Sequence, residues 1–332
     1  MTTVRTATAF ALAALVLAAA PALAAEEPAP PDTAGLVNLT PEELLVRASS
    51  SALQYAALIG PATRLLVSGY ERSVPFLITR LDTDDVRERI AVEDILFKIG
   101  SNAVEPLIGA LPHEAQRTDT TRGARLAAGI LGRIGDGRAV DALVAIHEHA
   151  EWKVRASVAE ALGGIGDARA ARALAALLRD ENEIVRKSAA VALAKVERKT
   201  PGRDLDGDVV RALLSALDDP FYSVRYGAAG ALGAIGEPVI PDLATLAEDG
   251  GGAARLLAIR ALGETGSPGA RRELRALLKA ADWPARAEAA RALGKIGLDG
   301  ASRRDLERLL RREDHPLVIA SAKSALEAGR EG

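Results

Sequence analysis

The chain has 332 residues, of which 48% are apolar but only 3% aromatic; it carries no cysteine, four histidines and a net charge of −3. Ala and Leu favour helix and the β-branched and aromatic residues that favour strands are scarce, so this composition predicts an all-α protein with an aliphatic core. The missing cysteines exclude disulfides, thiolate metal sites, a cysteine nucleophile and a lipoprotein anchor, and the absence of aromatic residues interleaved with basic ones argues against nucleic acid as a partner.

Residues 1–24 read as a secretory signal peptide. Arg5 precedes an apolar run from Ala7 to Ala20, Pro21 breaks it, and Ala22-Leu23-Ala24 offers small residues for cleavage after Ala24. The run is shorter than the roughly 20 residues a bilayer span needs, and no later stretch is long and apolar enough to span. The mature chain is therefore expected to be soluble and exported, periplasmic or secreted, with no transmembrane segment. Residues 25–39 form a Pro-rich, acidic leader. "TPEE" then predicts a helix start, with Thr40 as N-cap, Pro41 at N1 and Glu43 closing a capping box, and N-terminal capping helices follow over 40–72.

From residue 73 to 332 the chain repeats itself. "VRASVAEALGGIG" (Val154–Gly166), "VRKSAAVALAKVE" (Val185–Glu197), "VRYGAAGALGAIG" (Val224–Gly236), "ARLLAIRALGETG" (Ala254–Gly266) and "ARAEAARALGKIG" (Ala285–Gly297) align on one leucine. With weaker copies the anchors are Leu65, Leu96, Leu131, Leu162, Leu193, Leu232, Leu262, Leu293 and Leu326, a period near 31. Between them lie second amphipathic segments such as "AARALAALL" from Ala170 and "ARRELRALL" from Ala270. Each unit is thus helix–turn–helix. Neither helix buries its apolar stripe alone, so units must stack into a solenoid with a continuous core. About eight such pairs are expected.

This pattern resembles the HEAT-like repeats of the phycobilisome-lyase type, within an armadillo-like right-handed α-solenoid. The resemblance implies that the Arg after the Val stacks into a structural ladder and pairs with an acidic residue of the turn. The matching positions are Arg89, Arg155, Arg186, Arg225, Arg255 and Arg286, with Asp180, Asp219 and Asp249 as acidic partners. Deoxyhypusine hydroxylase, a HEAT-like enzyme, holds iron with His-Glu pairs at the start of its second helices. The corresponding positions here read Ala156-Ser157, Lys187-Ser188, Tyr226-Gly227 and Ala287-Glu288, so no metal or cofactor is expected.

Other motifs read as architecture. Neither G-x-G-x-x-G after a strand nor a P-loop occurs, and "GGIGD" (Gly163–Asp167) ends a helix. His113-Glu114, His147 and His149 fit no zinc motif, and the latter pair is placed in the last turn of a first helix. "DLDGD" (Asp204–Asp208) lacks the Gly and Glu of an EF-hand and reads as a polar insertion with Asp208 as N-cap, a loose calcium site being the alternative. Trp152, Tyr222 and Trp283 share one repeat position and are expected to staple the turn onto the second helix, rather than to form an exposed row.

Second helices are expected to line the concave face, exposing positions two before and two after each anchor leucine. Glu160, Lys195, Arg260, Glu264, Arg291 and Lys295 are the polar candidates for a binding face, with Tyr226, Gly227 and Gly230 at its middle, where two surplus glycines remove side chains. No gathering of nucleophiles or acid–base groups points to catalysis. The first expectation is therefore a non-catalytic scaffold that binds a protein or peptide. The alternatives are a lyase-like enzyme, by analogy with bilin lyases, and a binder of an anionic glycan or envelope surface through residues 251–312, which hold 14 basic and 7 acidic residues.

Overall fold

The structure is a computed structural model that describes residues 34–112, 121–202 and 206–328. The signal peptide expected over 1–24, most of the leader, His113-Glu114 and Asp204 lie outside the described residues. Among the described residues there is no strand.

Helix α1 (Pro41–Ser49) opens with the capping box: the Glu43 amide donates to Thr40 Oγ1 at 3.2 Å and the Thr40 amide donates to Glu43 Oε2 at 2.9 Å. α2 (Ile59–Ser68) packs back on it. Helix pairs follow: α3 (Tyr70–Thr79) with α4 (Val86–Ile99), α5 (Val104–Gly109) with α6 (Thr121–Ile134), and α7 (Val140–Ala145) with α8 (Trp152–Ile165). Next come α9 (Ala171–Leu177) with α10 (Glu183–Lys199), and α11 (Gly207–Ala216) with α12 (Tyr222–Ile235). The last pairs are α13 (Ile240–Asp249) with α14 (Gly252–Glu264), α15 (Arg271–Leu277) with α16 (Trp283–Ile296), and α17 (Gly300–Leu310) with α18 (Pro316–Ala328). The odd-numbered first helices and even-numbered second helices form two layers of a solenoid.

The anchor leucines make one continuous core. Leu96, Leu131, Leu162, Leu193, Leu232, Leu262 and Leu293 are fully buried, each contributing about 1.5–3 kcal/mol of transfer free energy. Leu326 is half-buried on the last described helix, and on α2 it is Leu66, not the expected Leu65, that is buried, which corrects that anchor by one residue.

Second helices stack along their lengths, whereas first helices touch more sparsely. The glycine after the anchor leucine explains this. A Cβ on Gly132 would lie 2.5 Å from Ala161 Cα, one on Gly163 would lie 2.7 Å from Ala192 Cα, and one on Gly263 or Gly294 would lie 2.9 Å from Cα of Ala292 or Ala325. Backbone therefore meets backbone, always against the residue before the next anchor.

One step breaks this register. Gly233 of α12 faces Glu264 of α14 rather than Ala261, the equivalent residue. α14 is thus displaced against α12 by three residues, about one helical turn or ~4.5 Å, and this contact is the least extensive between second helices from α6 to α18. A second irregularity lies at Glu197, where the repeat lacks its closing glycine. α10 runs on to Lys199, whose Nζ donates to the Gly164 and Ile165 carbonyls at 2.7 and 2.9 Å and so caps α8.

Candidate protein-binding face on the second helices

The positions two before and two after the anchor leucine are indeed unburied from α4 to α16. Several are tied across helices. Ser188 on α10 donates to Glu160 on α8 at 3.1 Å. The Arg260 guanidinium lies 4.5 Å from the Tyr226 ring centroid, and its Nη2 donates to the Tyr226 hydroxyl at 2.7 Å. Arg260 also lies 3.8 Å from Glu264, which pairs with Lys295 on α16; Arg291 pairs with Glu288 on its own helix. Lys195 stands exposed on α10.

At the middle of this face α12 carries an aromatic cluster. Phe221 is 45% exposed, Tyr222 63% and Tyr226 43%, and the two tyrosine rings are 5.7 Å apart. Tyr222 is therefore not a staple, whereas Trp152 packs against the core and Trp283 stacks on His315 with centroids 4.0 Å apart. Toward the C-terminus the face continues into a groove of about 680 Å³ between α14, α16 and α18. Leu256, Trp283 and Leu317 supply its apolar wall, and Arg291 and Lys295 its cationic rim. The surplus glycines divide. Gly230 faces open space, with nothing within 4 Å of where a Cβ would stand. Gly227 is buried, and a Cβ there would lie 2.9 Å from Ala190 Cβ; it admits α10 instead of opening the face, which corrects its expected role.

Along the turn edge, Arg155 donates from Nε and Nη2 to Asp180 at 2.6 and 2.9 Å, Arg186 to Asp219 at 2.7 and 3.3 Å, and Arg286 to Glu313 at 2.7 and 2.9 Å. None of these six side chains is more than 19% exposed. Burial acts to raise the Asp180 carboxyl, but the hydrogen bonds from Arg155 and the Asn182 amide outweigh it and leave the group below the usual range. Arg286 likewise pulls Glu313 down against burial. Arg255 breaks the pattern, donating from Nε to the Ala247 carbonyl at 2.8 Å and from Nη1 to Asp282 at 2.6 Å. Arg89 donates to the Thr83 carbonyl at 3.2 Å. Asp249 is not a rung: it is exposed in the last turn of α13, which runs on through this position where the other units have already turned.

The sequence pattern of the family described as HEAT repeats matches residues 114–194 and 240–327, and that of the single HEAT repeat matches 209–238. The chain belongs to the HEAT-repeat family. Similar solved structures include an engineered protein (22% identity, TM-score 0.44, covering 88% of this chain and 84% of that one). Human deoxyhypusine hydroxylase in complex with glycerol is 24% identical (TM-score 0.35, covering 80% and 99%). The complex of CpcE and CpcF of phycocyanin lyase from Nostoc sp. PCC7120 is 22% identical (TM-score 0.39, covering 77% and 94%). No curated protein sequence matches significantly.

The HEAT repeats carry a second ladder that sequence reading missed, at the turn into each first helix. Asp136 accepts from the Arg138 amide at 3.0 Å, and Arg138 Nη2 reaches the Ser101 carbonyl of the preceding unit at 2.9 Å. Arg169 repeats this, with Asp167 and the Gly137 carbonyl at 2.8 Å. Hydrogen bonds from the Arg138 side chain and then its amide hold the Asp136 carboxyl at about 2, against an ordinary 3.8. The signal was D-x-R at two unit boundaries. Two local expectations are also corrected. Asp206, not Asp208, is the N-cap of α11, accepting from the Asp208 amide at 2.9 Å. His147 and His149 lie past the end of α7, where His147 Nδ1 contacts the Val144 carbonyl at 2.7 Å and His149 Nδ1 accepts from the Glu151 amide at 3.0 Å. Among the described residues no group of three or more His, Asp or Glu could hold a metal ion, and no helix is long and apolar enough to cross a membrane.

Proposed function

We propose that this HEAT-repeat protein is an exported, non-catalytic scaffold that binds a protein or peptide on its second-helix face. The observation that carries this reading is the surface running from Phe221, Tyr222 and Tyr226 through Arg260 into the groove of Leu256, Trp283 and Leu317. It joins exposed aromatic rings, a cationic rim and a concavity on one face of a rigid stack, the combination found at the centres of protein interfaces. A general anionic surface is the second reading: residues 251–312 keep a net positive charge, but several of these cations are already held within the chain, Arg255 by Asp282, Arg275 by Asp305, Arg286 by Glu313 and Lys295 by Glu264. Export rests on the pattern of residues 1–24.

Site-specific photo-crosslinking tests the reading. A photoreactive residue is placed at Tyr226 or Arg291 on the second-helix face, or at Arg272 on first helix α15, in the full chain expressed in its host. A discrete adduct from Tyr226 and Arg291 supports the face; an adduct from Arg272 alone overturns it. N-terminal sequencing of the exported chain is expected to start at Ala25, and an intact Met1 would refute cleavage.

A further inference from the structure

Four ladder arginines are held in one way. Nη1 of each donates to the carbonyls six and five residues back: Arg155 to His149 and Ala150 at 2.8 and 2.9 Å, and Arg186 to Asp180 and Glu181 at 2.8 and 3.1 Å. Arg225 does so to Asp219 and Pro220 at 2.7 and 2.9 Å, and Arg286 to Ala280 and Ala281 at 2.9 and 2.8 Å. This turns the Nε–Nη2 edge toward the next unit. In Arg155, Arg186 and Arg286 that edge grips a carboxylate of the chain itself. In Arg225 it has none: Nε is buried without a hydrogen-bond partner, and Nη2, also without one, reaches the surface.

The cause is local. Asp180, Asp219 and Glu313 are aimed at their arginines because each also accepts from a turn amide, of Asn182 at 2.9 Å, Phe221 at 2.8 Å and His315 at 3.1 Å. Asp249 has no such bond and stays helical, and the α14 that follows it is slipped by about one turn against α12. With Nε enclosed, Nη2 is the donor left for an acceptor from outside the chain. The guanidinium also lies 5.9 Å from the Tyr222 ring, beside the exposed Phe221 and Tyr226.

We infer that Arg225 Nη2, the outer corner of this guanidinium, receives an acidic side chain of a bound peptide, while apolar residues of that peptide lie on Phe221, Tyr222 and Tyr226. This rests on the peptide-binding reading and specifies its chemistry. Three rungs of the same chain place a carboxylate on the equivalent Nη2, and the exposed rings supply the neighbouring contact that favours peptide over a free anion.

The test uses residues 25–332 and three capped probes. They are acetyl-Leu-Tyr-Glu-Leu-amide, its Gln counterpart, and the Gln peptide with a free C-terminal carboxylate. Binding is followed by the Arg225 Nε–Hε resonance, assigned by its loss in Arg225→Lys, and by calorimetry. The Glu peptide is expected to shift that resonance saturably and to bind about tenfold or more tightly than the Gln amide. Arg225→Gln should lose that preference. So should a graft of "DDPFYS" (residues 218–223) over residues 248–253, which supplies the fork with an internal carboxylate; its helical circular dichroism is expected to be unchanged. If the free-terminus probe binds as well as the Glu peptide, the acidic side chain is overturned in favour of a chain end. Equal binding of Glu and Gln amides, an unmoved Arg225 resonance at saturation, no binding at probe concentrations on the order of millimolar, or binding of D-glucuronate alone each overturns the inference. Equal binding of the two amides leaves peptide recognition standing; loss of the Tyr226 and Arg291 crosslinks removes peptide recognition itself.

Discussion

Two glycines of α12, three residues apart, are expected to respond to alanine with opposite sign. Both substitutions gain the same intrinsic helix propensity, about 1 kcal/mol. At Gly230 nothing stands within 4 Å of the new methyl group, so Gly230→Ala is expected to stabilise by roughly 0.5–1 kcal/mol. At Gly233 the methyl group would come well inside 3.0 Å of Glu264 Cβ and 3.2 Å from that residue's carbonyl carbon, both fixed to the backbone of α14. Relieving that contact means moving one helix against the other, at about 1–3 kcal/mol for overpacking. The propensity term cancels in the comparison, so the two variants should differ by about 1–3 kcal/mol, with Gly230→Ala the more stable. Urea unfolding followed by circular dichroism measures this, the slope being checked for constancy because repeat arrays can lose cooperativity. A Gly233→Ala variant as stable as Gly230→Ala would refute the backbone-to-backbone packing derived for the second-helix layer.

Asp180→Ala leaves the nearly buried Arg155 fork without its carboxylate and is expected to cost about 3–5 kcal/mol, whereas Asp249→Ala is expected to be neutral by the same urea assay, since that carboxylate meets no arginine. Acid is expected to destabilise the fold through Asp136, Asp180 and Glu313, whose carboxyls lie below their ordinary 3.8, 3.8 and 4.5. A depressed folded pKa gives stability that is complete above the unfolded value and lost as pH falls through the folded one. The urea midpoint should therefore be flat above about pH 6 and decline from about 4.5 toward 2, and Asp136→Asn should flatten the lower part of that decline.

The period near 31 made the helix pairs, their stacking and the buried leucines legible, because one apolar stripe per helix leaves stacking as the way to bury it. The rungs were legible only where the turn obeyed the repeat. Asp180 and Asp219 sit in turns whose amides hold the carboxylate; Asp249 occupies the same column of the alignment but lies in a helix that runs through it. Glu313 and Asp282 escaped notice because a longer side chain or a two-residue displacement reaches an arginine equally well, and a motif column records neither. The slip of α14 depends on whether Gly233 meets Ala261 or Glu264, and both choices are compatible with the same apolar pattern. Gly227 and Gly230 looked alike in the sequence and were separated only by what stands opposite each: Ala190 in one case, open space in the other.

The glycine contacts between second helices also set how the stack responds to load. A layer in backbone contact cannot be compressed, while the more sparsely touching first helices can spread or close. Bending therefore hinges on the second-helix layer, much as a leaf spring flexes about its stiffest blade. The exception is the slipped step of α12 against α14, the least extensive contact in that layer from α6 to α18, so the surface between Tyr226 and Arg260 is where the second-helix layer itself is expected to give.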